Sequence, residues 1–381
     1  MDLISVIVPL YRGEKYIPNI ISQIVECQRK AKSLITIELI MVNDFPDKKI
    51  CDNFGEQEIE IKLINLKYNK GIHGARLVGL SKSEGTYILF LDQDDRIFPE
   101  FFNSQLNKIG DADAVVSQAI DAGRLYYDNR RPFRKVVSKD YMLDYGNYII
   151  SPGQVLIKKE SIPNPWINNV MKNNGADDWL LWLCMYGVGK KIELNEDILY
   201  EHIIDGENAS WNTESMMYSE LEAINIIKVN KVLNLNEISR LERLEQYNIH
   251  NRIKQLDHYK RMFYLYDEWL KAKNRGIHME SYFFERHYKK IAIYGVSDIG
   301  RQIYLELLET KVEVDYFIDK NAKYVLEKFP VFLPEDVLSP VDVIVISLID
   351  EIETIIPLLR TKMNTPIIEI REVLKDMTKN I

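Results

Sequence analysis

Four apolar runs in the N-terminal quarter of the chain, Ile4–Val8, Ile37–Val42, Ile61–Leu66 and Tyr87–Leu91, are separated by polar and helix-patterned stretches, the clearest helix being Tyr16 to Val25. Neighbouring parallel strands need long crossovers, usually helices, so this alternation predicts a mostly parallel α/β sheet covered on both faces. The near-continuous apolar character of the runs agrees, because a strand buried on both sides has no polar face to alternate with. Ligands of such sheets collect beyond the carboxyl ends of the strands. Asp44 follows the second run there, and Asp92, Asp94 and Asp95 follow the fourth.

Three carboxylates at the end of one buried strand are costly unless a cation offsets them. A hard divalent ion, Mg²⁺ or Mn²⁺, fits oxygen ligands, and Mg²⁺ is commonly held by one or two carboxylates together with substrate phosphates. The cluster therefore predicts a metal site serving a diphosphate-bearing donor. The competing reading is a helix cap, with Asp95 closing a helix that opens near Pro99.

At 381 residues the chain is long for one core, and two or three domains are expected. A formal net charge of −8 argues against a broad nucleic-acid footprint. Cys27, Cys51 and Cys184 lack the spacing of a zinc knuckle or a disulfide framework and read as buried apolar residues. Met1-Asp2-Leu3-Ile4 enters a strand at once, without the basic flank and apolar core of a signal peptide, and no run reaches membrane-span length. The expected location is the cytoplasm, with peripheral contact at the inner face of the membrane left open.

Val115 to Trp211 is irregular, punctuated by Asn129–Pro132, Ser151-Pro152-Gly153 and Pro163-Asn164-Pro165. Farther on, Ile249, Ile253, Leu256, Tyr259, Phe263, Tyr266 and Leu270 recur every three or four residues, which predicts one apolar face on a long helix, for packing or for a lipid or protein partner. After Gly276 the strand–turn–helix texture returns: Lys290-Ile-Ala-Ile-Tyr294 leads into Gly295-Val-Ser-Asp-Ile-Gly300, and strands are predicted over Val314–Asp319 and Val341–Ser347. The predicted domains are 1–213, a helical connection over 214–285 and a smaller Rossmann-like α/β domain over 286–381.

Six segments in fixed order carry a resemblance. Val6-Ile7-Val8-Pro9-Leu10-Tyr11, Val42-Asn43-Asp44, Asn69-Lys70-Gly71 with Ala75-Arg76 and Gly79, Asp92-Gln93-Asp94-Asp95, Ala176-Asp177-Asp178-Trp179, and Tyr200 to Ser210 with His202, Asn208 and Ser210 resemble the motifs of family-2 glycosyltransferases of GT-A fold. The resemblance covers roughly residues 1 to 212. It implies donor contacts at Pro9, Tyr11, Asp44, Asn69, Gly71, Arg76, Asp92 and Asp177, a metal at Asp92, Asp94 and His202, and a catalytic base at Asp178. Residue chemistry is compatible with these roles. Asp44 can accept from a base N–H, the Arg76 guanidinium suits a diphosphate, and a carboxylate at Asp178 would take the proton of an attacking hydroxyl. Simpler readings stand beside them: Arg76 as a surface charge, Asp177 and Asp178 as caps of a helix beginning at Trp179, and His202 as a structural histidine. Phe45-Pro46-Asp47-Lys48 departs from the family's small-residue run, and Asp177 stands where Glu is frequent.

The function implied is metal-dependent, inverting transfer of a sugar from a nucleotide-sugar donor, a UDP-sugar by expectation, to a hydroxyl of a glycan or lipid-linked glycan in bacterial surface polysaccharide synthesis. The alternative, a nucleotide- or NAD-binding sensor or oxidoreductase, rests on the C-terminal unit. Its glycine loop carries Ser297 in place of the central glycine and Asp298 where a pyrophosphate would approach, although Asp319 stands where a ribose-binding acid belongs.

Overall fold

The computed structural model describes residues 2–31, 35–203, 213–324, 327–350 and 352–379. The chain divides into two compact units, Met1–His250 and Asn251–Ile381. The division falls inside the predicted helical connection, within a helix that runs Leu235–Asn274.

The first unit holds β1 (Asp2–Leu10), β2 (Ile35–Asn43), β3 (Glu60–Asn65), β4 (Tyr87–Phe90), β5 (Arg96–Ile97), β6 (Ala114–Asp121), β7 (Arg124–Leu125), β8 (Val155–Lys158) and β9 (Ile192–His202). They form one mixed sheet in the order β3-β2-β1-β4-β8-β6-β9-β5, with β7 paired to β6. β1 to β4 are parallel, as the alternation predicts. β8 then turns the sheet antiparallel between β4 and β6. The stretch from Val115, irregular by pattern, thus completes the sheet. Its short β8 and shifted β6–β9 register give no sustained period to read.

Residues 4–10 of β1 are buried, and alternate side chains enter two separate cores. Ile7 joins Ile40, Val42, Phe90, Trp166 and Trp182 on one face. Val6 and Val8 join Leu39, Met41, Leu89 and Phe101 on the other, with Ile20 and Ile24 of the helix Ile17–Ala31. The helix Gly71–Lys82 lies close to β1 because Gly79 has no side chain: a Cβ there would stand 2.3 Å from Ile7 Cγ2. That close approach brings the start of this helix to the carboxyl ends of β1 and β4.

The second unit contains a parallel sheet of β10 (Lys290–Tyr294), β11 (Glu313–Ile318), β12 (Val331–Phe332), β13 (Val343–Ile346) and β14 (Ile367–Glu369), ordered β12-β11-β10-β13-β14. Of the apolar stripe expected on the long helix, Tyr266 packs against the second unit's core and Ile249 is partly buried, but the other five members stay open. Leu265, Trp269 and Ala272 enter the second unit's core, whereas Ile253, Leu256, Tyr259, Phe263 and Leu270 are each 59–67% exposed. Heptad-like spacing fixes which residues share a face but not which face finds a partner. Cys27 and Cys184 are buried as expected, but Cys51 is exposed.

Candidate active site

Beyond the carboxyl ends of β1 and β4, Arg76 organises the predicted acids. Its guanidinium, 3% exposed, donates from Nη1 to Asp177 Oδ2 at 2.6 Å and from Nη2 to Asp92 Oδ1 at 2.5 Å. Asp92 Oδ2 accepts from Ser151 Oγ at 2.9 Å. The planar fork of arginine suits such a two-sided contact, and burial of the ions strengthens it while making either partner costly to remove. Arg76 is therefore neither a surface charge nor an exposed cation awaiting a diphosphate. It binds the strand-end acids to the start of the helix Asp177–Gly187.

Asp95 is buried, with one carboxylate oxygen accepting from the Tyr200 hydroxyl and the other from Ile203 N at 2.9 Å. The helix after it starts at Phe101 with Glu100 at the cap position, which removes the capping role expected for Asp95. Burial, together with the charges of Asp92 and Asp94, pushes the Asp95 carboxyl well above its ordinary range. Asp94 is half-buried beside them.

Asp177 and Asp178 sit in the first turn of their helix, whose cap position is Ala176, so neither is its cap and the expected start at Trp179 moves two residues earlier. Asp178 keeps a solvent-accessible edge although protein atoms crowd its other sides. Its Oδ1 accepts from Trp179 N at 2.7 Å and its Oδ2 from Asn147 Nδ2 at 2.9 Å. Asn147 is itself oriented, since its Oδ1 accepts from Ile149 N at 3.0 Å. Burial first, then the neighbouring charge of Asp177, pushes Asp178 up to about 7, against the opposing effects of Arg76 and the Trp179 N–H. A carboxylate held there can exchange a proton near neutral pH.

The remaining predicted residues build the rim. Asp44 is 4% exposed; its Oδ1 accepts from Lys70 N at 2.6 Å, and burial raises its carboxyl above the usual range. Asn69 donates to Asp44 O at 2.9 Å and accepts from Gly71 N at 3.1 Å. These two residues tie the second strand's end to the helix entry, and Asp44 is not laid open to a base. Pro9 is buried within β1. Tyr11 is 49% exposed, its ring 5.4 Å from that of Phe45, with the Arg12 guanidinium 5.2 Å from the Phe45 ring centre. Gln93, inside the acidic motif, grips Tyr11 by accepting from its N at 3.0 Å and donating to its O at 3.3 Å. His202 Nδ1 lies 3.0 Å from Asp121 Oδ1. Asn208 and Ser210 lie outside the described residues.

Among the described residues no group of three or more His, Cys, Asp or Glu side chains is placed to hold a metal by itself. Sequence reasoning missed Asn147, Ser151 and Gln93. The first two stand in the stretch that carried no periodicity, and Gln93 passed as the spacer of the acidic motif.

A parallel strand-helix half, an acidic strand end and a second acidic pair carried on a helix in the mixed half define a transferase domain of GT-A type. The family model for glycosyl transferase family 2 matches residues 5–164. An uncharacterized glycosyltransferase of Haemophilus influenzae is 30% identical over 211 residues, covering 53% of this chain and 77% of its own. The minor teichoic acid biosynthesis protein GgaB of Bacillus subtilis is 37% identical over 106 residues, which are 27% of this chain and 11% of that protein. Among solved structures, S. aureus TarS 1–349 in complex with UDP-GlcNAc is 20% identical, with a TM-score of 0.48 over 64% of this chain and 71% of that one. The chain belongs to glycosyltransferase family 2 and is a glycosyltransferase.

Proposed function

We propose that the chain transfers a sugar from a UDP-sugar to a hydroxyl of a glycan or lipid-linked glycan, with a divalent cation and with inversion at the anomeric carbon, in the building of a bacterial surface polymer. The observation that carries this reading is the buried Arg76 fork. It holds Asp92 of the strand-end cluster and Asp177, the neighbour of Asp178, on one guanidinium, so the donor's acids and the base belong to one rigid constellation. The role of the GgaB relative in teichoic acid synthesis supports the polymer class.

The residues fit a divalent cation. Asp92, Asp94 and Asp95 gather negative charge at one strand end, and Mg²⁺ or Mn²⁺ needs only one or two protein carboxylates when phosphates complete its shell. Asp94 and Asp92 would hold it. With Nδ1 turned to Asp121, His202 could add Nε2 as a nitrogen donor. When bound, the ion would neutralise charge on the departing nucleoside diphosphate.

This chain's own groups do the rest. Tyr11 and Phe45 offer an aromatic seat for the nucleobase, with Arg12 beside it. Asp178 accepts the proton of the acceptor hydroxyl as that oxygen attacks the anomeric carbon, and the bond to the diphosphate breaks. A single displacement of this kind inverts the centre. Among the described residues no helix is long and apolar enough to cross a membrane.

The test is a thermal-shift screen of nucleotide sugars with and without Mn²⁺, since ligands that bind the native state raise its stability. A UDP-sugar that stabilises only with the metal is the expected result. Equal stabilisation by NAD alone, with no response to any nucleotide sugar, would overturn it.

A further inference from the structure

We propose that the second unit binds a ribonucleoside-type ligand, a flat heteroaromatic base joined to a ribose, in the crevice beyond the carboxyl ends of β10, β11 and β13, and that it does not bind a dinucleotide. The proposal concerns a separate unit and does not depend on the transfer reaction.

In the order β12-β11-β10-β13-β14 the chain runs outward in both directions from β10, so the strand order reverses between β10 and β13. Crevices at such a reversal are where parallel sheets seat their ligands. A cavity of about 640 Å³ lies there, within the range of small-molecule sites. Pro334, Leu348, Ile349 and Leu358 give it apolar walls suited to a planar base.

Asp319, at the end of β11, is the polar anchor. Its Oδ2 accepts from Val296 N at 2.8 Å and its Oδ1 from Asn321 N at 2.7 Å, so the carboxylate is held in one orientation by two backbone donors. An ionised carboxylate has about four acceptor sites, which leaves about two for the vicinal hydroxyls of a ribose. Asp350, which also lines the cavity, is held by His258 and by Arg261, the latter at 2.6 Å, so its own charge is paired.

The same contacts take up backbone donors that a pyrophosphate would need, although Lys320 and Lys362 also line the cavity. In a phosphate-binding glycine loop the amides after the first strand face the anion. Here Val296 N–H already serves Asp319, and Gly300 N–H donates to Ser297 Oγ at 3.1 Å. Ser297 Oγ lies 3.1 Å from Ser347 Oγ, so its side chain occupies the position a central glycine would leave open. Asp298 adds a negative charge in the first helical turn. Gly300 keeps only its packing role: a Cβ there would stand 2.3 Å from Gly295 O.

The test is calorimetric titration of the full chain with adenosine, guanosine, cytidine and uridine, their 2′-deoxy counterparts, NAD and UDP. Two variants accompany it: Asp319→Asn, and Leu358→Trp, which fills the crevice from a half-exposed helix position. At least one ribonucleoside should bind with a Kd of about 1 mM or tighter. Its 2′-deoxy form and the Asp319→Asn variant should each bind about tenfold more weakly, the loss of a hydrogen bond to a charged acceptor. Leu358→Trp should abolish that binding and leave the heat of UDP binding unchanged. The proposal is overturned if none of the four ribonucleosides binds, if Leu358→Trp binds as the native chain does, or if NAD binds more tightly than every nucleoside.

Discussion

Replacing Asn147 with alanine removes a side-chain donor to Asp178 Oδ2, at 2.9 Å, and leaves the sources of its raised pKa in place. A hydrogen bond to a charged group contributes about 1.5–3 kcal/mol. Asp178 keeps a solvent edge, so the lower end applies, and about 1.4 kcal/mol corresponds to roughly one pKa unit. The carboxylate, poised at about 7 in the native chain, should then titrate roughly one unit higher. A base is active only above its pKa, so the acid limb of kcat/KM should move upward by about one unit. At pH 7 the ionised fraction would fall from about one half to about one tenth, a roughly fivefold loss, and the two profiles would converge near pH 9. Because Asn147 also anchors Ile149 N, Asn147→Asp serves as the companion. It retains the acceptor for that amide but adds a like charge beside Asp178, and should move the limb farther up. The assay is nucleoside diphosphate release across pH with the donor found by the nucleotide-sugar screen. A loss of rate that is the same at every pH, or an unmoved limb, would refute the reasoning.

Asp94→Ala should remove the Mn²⁺-dependent rise in melting temperature with UDP; an undiminished rise would take Asp94 out of the metal site. Arg76→Met leaves Asp92 and Asp177 facing each other without a cation, and should lower stability in urea by about 3–5 kcal/mol. Arg76→Lys keeps the charge but loses the fork, so it should recover only part; full recovery would mean that the two-sided geometry is immaterial. Gly300→Ala forces a Cβ against Gly295 O and should lower the unfolding transition of the second unit by about 1–3 kcal/mol, leaving donor binding by the first unit intact.

The parallel half of the sheet was legible because buried parallel strands write themselves as continuous apolar runs, and the acidic strand ends followed from where those runs stop. The partners of those acids were not. Arg76 reads equally well as a phosphate ligand or a surface charge until the helix Gly71–Lys82 is seen against β1, where Gly79 lets it sink far enough to bury the guanidinium. Asp44 shows the same limit: its strand-end position was foreseeable, but its engagement by Lys70 N depends on a loop closing 26 residues later. Asn147 and Ser151 come from a stretch whose short, irregular elements carry no period. In the long helix the spacing identified a face, while the residues that enter the second unit's core, Leu265, Trp269 and Ala272, were chosen by the sheet they meet.

The central claim, that the strand-end acids serve the donor while Asp178 serves the acceptor within one site, is tested most directly by Asp178→Asn. The account predicts donor-plus-Mn²⁺ stabilisation equal to that of the native chain together with loss of sugar transfer at every pH. Transfer at the native rate by Asp178→Asn would contradict it.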